Sequence, residues 1–189
     1  FRVKSFNDEH INLLCPKIEF NPEGKIALFV LEGGIGPDVL ESRTFLNDEV
    51  GDAFFNLLKF TLKQSQDYQV GTIFCLNWQD APLRGVFGKT RYNRIKNFQK
   101  RVVYAIQKIN PGIVVFFGLE SLSRFPGKTD KYERKTVGRI KSLKICGRDV
   151  PYINTLALED FIPVDPARVN YAALAGFVSF HLQQAFHLE

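Results

Sequence analysis

The stretch Lys25-Ile-Ala-Leu-Phe-Val-Leu31 decides the fold of this chain. It is nearly all apolar and runs into Glu32-Gly-Gly34, as a strand buried on both faces does before a tight loop. Two further runs have the same character, Val70–Leu76 and Ile113–Phe117. Strands of this kind are typical of a mainly parallel sheet with helices on both faces, so the sequence predicts an α/β fold.

Two amphipathic helices are predicted between these strands. The first opens at Asn47-Asp-Glu49, where a capping residue is followed by acids that suit the first turn. The second runs from Tyr92 to Ile109 and stops at Asn110-Pro-Gly112. Residues at helical spacing mark the inner faces that we expect: Val50, Phe54, Leu57, Leu58 and Thr61 in the first helix, and Ile95, Phe98, Val102, Ala105, Ile106 and Ile109 in the second.

The last third of the chain adds a hairpin and a long helix. A short helix over 119–124 precedes a basic loop over 125–136. Arg139–Cys146 then alternates apolar and basic residues and turns at Gly147-Arg148 toward a strand over Val150–Ile153. The final helix is predicted from Pro166 to Leu188, and its expected buried residues include Val169, Ala172, Leu174, Phe177, Phe180 and Leu182.

Length and composition indicate one globular domain. The chain has 189 residues, 45% of them hydrophobic and 24% charged, which argues against general disorder and a coiled coil. No apolar run approaches the roughly 20 residues of a membrane span. We therefore predict a single domain over residues 1–189. Because Met is absent, even at position 1, we expect this domain to be a fragment of a longer polypeptide.

Three cysteines, Cys15, Cys75 and Cys146, are too few and too scattered for a disulfide framework or a metal site. Cys75 lies inside an apolar run, so we expect a buried free thiol there. This cysteine usage favours a reduced compartment, such as bacterial or phage-infected host cytosol. We expect no metal and no cofactor.

The charge is concentrated in one part of the chain. Residues 84–148 contain 17 Lys and Arg against 3 Asp and Glu, whereas residues 1–60 contain 6 against 10. Such asymmetry suggests a polyanionic partner, most often nucleic acid. The plainer interpretation is a solvated surface that keeps the protein soluble. A membrane surface is disfavoured, because the basic segment has no apolar helical face beyond its expected core positions.

The loops that follow the predicted strands are the candidate ligand sites, because ligands of parallel sheets bind beyond the carboxyl ends of the strands. The first loop, Glu32-Gly-Gly-Ile-Gly-Pro-Asp38, is neither a Walker loop nor a dinucleotide fingerprint. Asn77 ends the second strand, and its amide offers the donor and the acceptor that read a base edge. Each feature also has a plainer interpretation as a simple turn.

Four stretches, in order, resemble the uracil-DNA glycosylase superfamily, nearest its family 4. The first stretch is a strand, Leu28-Phe-Val-Leu31, with Gly34-Ile-Gly-Pro37 and Thr44-Phe45 after it, and the second is Ile73-Phe-Cys-Leu-Asn77 with Pro82 after it. The third stretch is Asn110-Pro-Gly-Ile-Val-Val-Phe-Phe-Gly118, and the fourth is Val150-Pro-Tyr-Ile-Asn-Thr-Leu156. The resemblance covers residues 25–165. It implies a three-layer α/β/α domain with a central, mainly parallel four-stranded sheet. It also implies a flipped base held in a pocket.

The resemblance assigns roles to individual residues. Phe45 would stack on the base and Asn77 would bind its Watson–Crick edge. The floor of the pocket would be formed by Gly34, Gly36 and Pro37, and Asn154 would join the pocket from the last strand. Apart from the resemblance, the concentration of basic residues predicts a DNA-binding surface that consists of Lys89, Arg91, Arg94, Lys96, Lys100, Arg101, Lys128, Lys131, Arg134 and Lys135.

The chain departs from the family at its catalytic motifs. The positions of the water-activating group are Ile35 and Gly36, and the nearest acid is Asp38. The family histidine belongs near 154–158, a segment that reads Asn-Thr-Leu-Ala-Leu. The cluster cysteines of family 4 are missing too. Base excision needs an oriented water and stabilisation of the charge on the departing base. Because the family groups for both tasks are missing at the matching positions, we expect weak or absent activity.

Three functions therefore remain open. The first is a glycosylase-like DNA-binding domain of a replication or repair protein, as in phage replication proteins that include some DNA polymerases. The second is an active glycosylase in which Asp38 is the carboxylate and Asn154 or Thr155 replaces the histidine. The third is a module that binds an acidic protein partner. No membrane partner is expected.

Overall fold

The fold is known from a computed structural model that describes residues 17–19, 21, 23–31, 49–63, 70–77, 88–118, 137–157 and 171–187. Its elements, in chain order, are β1 (Lys17–Glu19), β2 (Lys25–Leu31), α1 (Glu49–Lys63), β3 (Val70–Asn77), α2 (Gly88–Ile109), β4 (Ile113–Phe117), β5 (Lys141–Ile145), β6 (Arg148–Thr155) and α3 (Tyr171–Phe186).

Within these residues, six strands form one sheet in the spatial order β1-β3-β2-β4-β6-β5. The inner strands β3, β2, β4 and β6 are parallel. Strands β1 and β5 pair antiparallel at the two edges. The predicted α/β class with a mainly parallel sheet is confirmed. The predicted number of four strands is wrong, because an antiparallel strand extends the sheet at each end.

The two faces of the sheet carry separate cores. On one face, side chains of α1 and α3 cluster with alternate residues of the strands. The rings of Phe29, Phe54 and Phe117 form a triangle here, with centroids 5.2 to 6.0 Å apart. On the opposite face, Val102 and Ile106 of α2 cluster with the intervening strand residues. Both faces are thus buried, which explains why β2 and β4 are apolar without alternation.

The structure corrects the expected inner face of α3. Phe177 and Phe180 were predicted to be buried, but they are 46% and 55% exposed. Leu182 is buried as predicted, and Val178, which was not predicted, also faces the core. Because α3 contains no charged residue, its sequence has no polar stripe that would show which side faces solvent.

Other expectations from the sequence are met. Thr61, on the predicted inner face of α1, is buried, and so is the free thiol of Cys75. The predicted short helix over 119–124 lies outside the described residues, as do Val169 and Cys15.

The order of the strands marks the carboxyl edge of the sheet as the candidate ligand site. The chain passes from β2 through α1 to β3 on one side of β2, then through α2 to β4 on the other side. The segments that follow β2 and β3 therefore lead to helices on opposite faces. Such a divergence between neighbouring parallel strands is where ligands of α/β proteins bind, beyond the carboxyl ends.

A candidate site at the carboxyl edge of the sheet

One row of residues crosses the sheet at this edge. Asn77 of β3 pairs with Leu31 of β2, Leu31 with Phe117 of β4, and Phe117 with Thr155 of β6. The segments quoted for the family resemblance thus end together at one edge. The backbone of Asn77 lies at the predicted strand end, whereas its side chain is not among the described ones.

Asn154, beside this row, has an unusual side chain. It is only 1% exposed, yet neither Oδ1 nor Nδ2 has a hydrogen-bond partner within the described structure. Its backbone is fixed, because the carbonyl accepts a hydrogen bond of 2.8 Å from the Gly138 amide. Val150 and Tyr152 face α2, so strand alternation puts Asn154 on the α2 face as well. A buried amide without partners costs about 1–3 kcal/mol, and such a group calls for an explanation.

Thr155, the next residue, is on the opposite face and meets a histidine from α3. Its Oγ1 lies 2.9 Å from Nδ1 of His181, and both side chains are buried. The Phe177 ring packs edge-on against this imidazole at 4.2 Å between centroids. Burial lowers the pKa of His181, because desolvation disfavours the charged ring.

Sequence reasoning excluded His181 from the site, since no histidine lies near 154–158. The structure brings its ring to that segment from a helix that follows in the chain. The available signal was a titratable residue within a helix that is otherwise uncharged and apolar.

Charge is distributed unevenly among the described elements. Within 88–118 and 137–157, which hold α2 and the β5–β6 hairpin, there are eleven Lys and Arg but one acid, Asp149. Helix α3 has no charged residue, and α1 has two of each sign. Of the basic segment predicted from the sequence, the described part therefore consists of α2 and the hairpin.

The predicted DNA-binding residues of α2 are only partly described. Lys89 and Lys96 are exposed, and Lys100 and Arg101 are half-buried. The side chains of Arg91 and Arg94 are not described, although both belong to α2.

The remaining predicted site residues lie outside the described residues. They are Gly34, Gly36, Pro37, Asp38 and Phe45 of the first loop, and Lys128, Lys131, Arg134 and Lys135 of the basic loop. A cavity shared by Phe45 and Asn77 stays a prediction.

In the part of the chain that the structure describes, no group of three or more His, Cys, Asp or Glu side chains is arranged to hold a metal ion. No helix in this part is both long and apolar enough to span a membrane. The sequence matches neither a model of a known protein family nor a curated protein.

Proposed function

We propose that this chain is a DNA-binding domain of the uracil-DNA glycosylase type, with a base pocket and weak or absent excision activity. Its setting would be DNA replication or repair inside the cell. The observation that carries the proposal is the unpartnered carboxamide of Asn154, buried at the carboxyl edge of the sheet. An unpaired base offers the donors and acceptors that this amide lacks.

The fold is compatible with the proposal. Four parallel strands at the centre, with α1 and α3 packed on one face and α2 on the other, suit a three-layer α/β/α domain. The quoted segments end at one edge, as a shared pocket requires. The cationic side formed by α2 and the hairpin provides the electrostatic attraction for phosphates.

Weak excision is supported by the environment of His181, which lies near the end of β6. A departing base carries negative charge, which a positive or hydrogen-bonding group must stabilise. Burial lowers the pKa of His181 and so disfavours its charged form, and its Nδ1 is already engaged with Thr155. The segment 149–165 itself contains no His, Lys or Arg that could supply a positive charge. Glu159 and Asp160 would oppose the anion if they faced it.

Substitution of Asn154 by Leu tests the pocket. A leucine removes a buried polar group that has no partner, so we expect the free energy of unfolding to rise by about 1–3 kcal/mol. Binding of an oligonucleotide with unpaired bases should weaken by about 1–3 kcal/mol at the same time. Asn56→Leu is the matched control, since Asn56 is exposed on α1 and neither quantity should change by more than about 0.5 kcal/mol.

A gain in stability without a loss of affinity would show that Asn154 does not touch DNA. Absence of DNA binding at low salt would contradict the proposal and favour an acidic protein partner. Single-turnover incubation with single-stranded DNA containing uracil tests the activity. We expect no fast cleavage, whereas fast cleavage that Asp38→Ala abolishes would identify an active enzyme with Asp38 as its carboxylate.

A further inference from the structure

Strand β5 has one open side. It pairs with β6, and no strand among the described residues lies on its other side. Leu143 and Ile145 are buried in the core on the α2 face, whereas Ser142 and Lys144 are exposed. A strand with one unpaired side presents backbone N–H and C=O groups to which an extended chain can pair. The open side of β5 is therefore a candidate surface for another strand.

The turn of the β5–β6 hairpin fixes which residues of β5 bond to β6. Cys146 and Gly147 form a two-residue turn in which both φ angles are positive, at +52° and +81°. Positive φ at both positions defines a type I′ turn, the common connection of tight hairpins. Ile145 and Arg148 flank this turn and pair with each other. They are thus the first hydrogen-bonded pair of the ladder.

Ser142 and Lys144 have outward-facing backbone groups as a result. Hydrogen-bonded and non-hydrogen-bonded pairs alternate along an antiparallel ladder, so these two residues occupy positions that do not bond to β6. Pro151 supports this assignment, because it is opposite Ser142 and has no N–H to donate. The N–H and C=O groups of Ser142 and Lys144 therefore point to the open side of β5.

The hairpin that carries this open side is cationic. Within 137–157 there are four Lys and Arg residues and a single acid, Asp149, while 88–118 contain no acid. Asp149 is directly opposite Lys144 in the register, so the described hairpin has no acid for its other cations, which are Arg139, Lys141 and Arg148. An added strand that carries acidic side chains is attracted here, and a basic strand is repelled.

We propose that β5 binds an extended, acidic peptide segment of a partner protein, which adds to the sheet as a further strand. The backbone of the segment pairs with Ser142 and Lys144. Its acids lie beside Lys141 and Lys144, which are three residues apart and so face opposite sides of the sheet. This inference goes beyond the proposed function, because it uses the open side of β5 and not the carboxyl edge of the sheet.

The backbone favours a peptide over nucleic acid at this surface. Phosphates can meet the cations of the hairpin, but a DNA backbone has no donor for the outward carbonyls of Ser142 and Lys144. An extended peptide supplies both donors and acceptors at the spacing of the ladder. The two occupants therefore differ in what they do to the backbone amides of β5.

Amide hydrogen exchange of the full chain tests the addition of a strand. The probe is a peptide with blocked ends and the sequence Glu-Val-Glu-Glu-Val-Glu, whose acids fall on both faces of a strand, and the matched control has Gln for each Glu. In the free chain, the amides of Ser142 and Lys144 should be less protected than those of Leu143 and Ile145. Saturating acidic peptide should slow exchange at Ser142 and Lys144 by about tenfold or more, and the control peptide should not.

Substitutions separate charge from backbone pairing. Lys141→Gln and Lys144→Gln should each weaken peptide binding by about two- to fivefold. Lys59→Gln removes the same charge from an exposed position of α1 and should leave the affinity unchanged. Ser142→Pro removes an outward N–H that β6 does not use, so thermal unfolding should show a folded chain that no longer binds the peptide.

The exchange measurement on the unmodified chain decides the proposal even if Ser142→Pro does not fold. No binding of the acidic peptide, or binding that leaves Ser142 and Lys144 unprotected, would overturn the added strand. Equal binding of the Gln peptide would overturn the acidic partner. An oligonucleotide whose binding depends on Lys141 and Lys144, with no binding of the peptide, would assign these cations to nucleic acid and leave the proposed function intact.

Discussion

Gly138 is the position where a single methyl group tests the geometry of the site. Its φ angle is +75°, and a Cβ atom there would overlap the His181 ring, with Nε2 nearest, then Cδ2 at 2.5 Å and Cε1 at 3.0 Å. The backbone has little freedom to retreat, because the Gly138 amide is bonded to the Asn154 carbonyl. Gly138→Ala is therefore expected to strain the junction between the β5–β6 hairpin and α3.

The cost has two parts, and a second glycine separates them. Gly147 has φ +81°, and a Cβ there would meet nothing within 4 Å, so Gly147→Ala should cost only the left-handed backbone strain of about 1–2 kcal/mol. Gly138→Ala adds overpacking against His181, typically about 1–3 kcal/mol. We expect a total near 2–5 kcal/mol for Gly138→Ala.

Urea unfolding of both variants gives these free energies, and a double-mutant cycle identifies the neighbour responsible. In a His181→Ala background the overlap disappears, so Gly138→Ala should then cost only about 1–2 kcal/mol. Equal destabilisation by the two glycine substitutions would refute the reasoning, as would strict additivity of Gly138→Ala and His181→Ala.

Other substitutions examine the helices around this junction. The pKa of His181 is lowered in the folded state, so unfolding takes up a proton as pH falls below about 6.5. The free energy of unfolding, measured with urea, should therefore decrease from about pH 7 to pH 5. The decrease should be steeper in the unmodified chain than in His181→Gln. Thr61 Oγ1 donates a hydrogen bond to the Leu57 carbonyl and so accepts one from Ser179, at 2.8 Å for both contacts. Thermal unfolding should show that Thr61→Val lowers the free energy of unfolding by about 1–3 kcal/mol and that Ser179→Ala lowers it by less. Phe180→Ser should change the free energy of unfolding by at most about 0.5 kcal/mol, and a larger loss would mean that this exposed ring is covered in solution.

The sequence was sufficient for the parallel strands and insufficient for the helix that closes the site. Val70–Leu76 and Ile113–Phe117 were recognisable because strands buried on both faces are apolar throughout. The edge strand β1 has three residues, too few to establish a period. Helix α3 is apolar on all sides, so its sequence predicted that a long helix forms but not which side of it faces the core. Phe177 and Phe180 were therefore assigned to the wrong side.

The candidate site, like the fold, could be predicted from the sequence only in part. Asn154 and the basic character of α2 could be inferred from position and composition. The contact between Thr155 and His181 could not, because 26 residues separate them in the chain. Only the packing of α3 against the sheet brings them together, and no local pattern encodes that packing.

The lysines of β5 have a second consequence, for the outer edge of the sheet. An edge strand exposes unpaired backbone groups that invite another strand, and charged side chains are a common defence against this. Lys141 and Lys144 supply that charge at one edge, while β1 at the other edge has only three residues. The two edges of the described sheet thus differ in their protection against an added strand, which is charge at β5 and short length at β1.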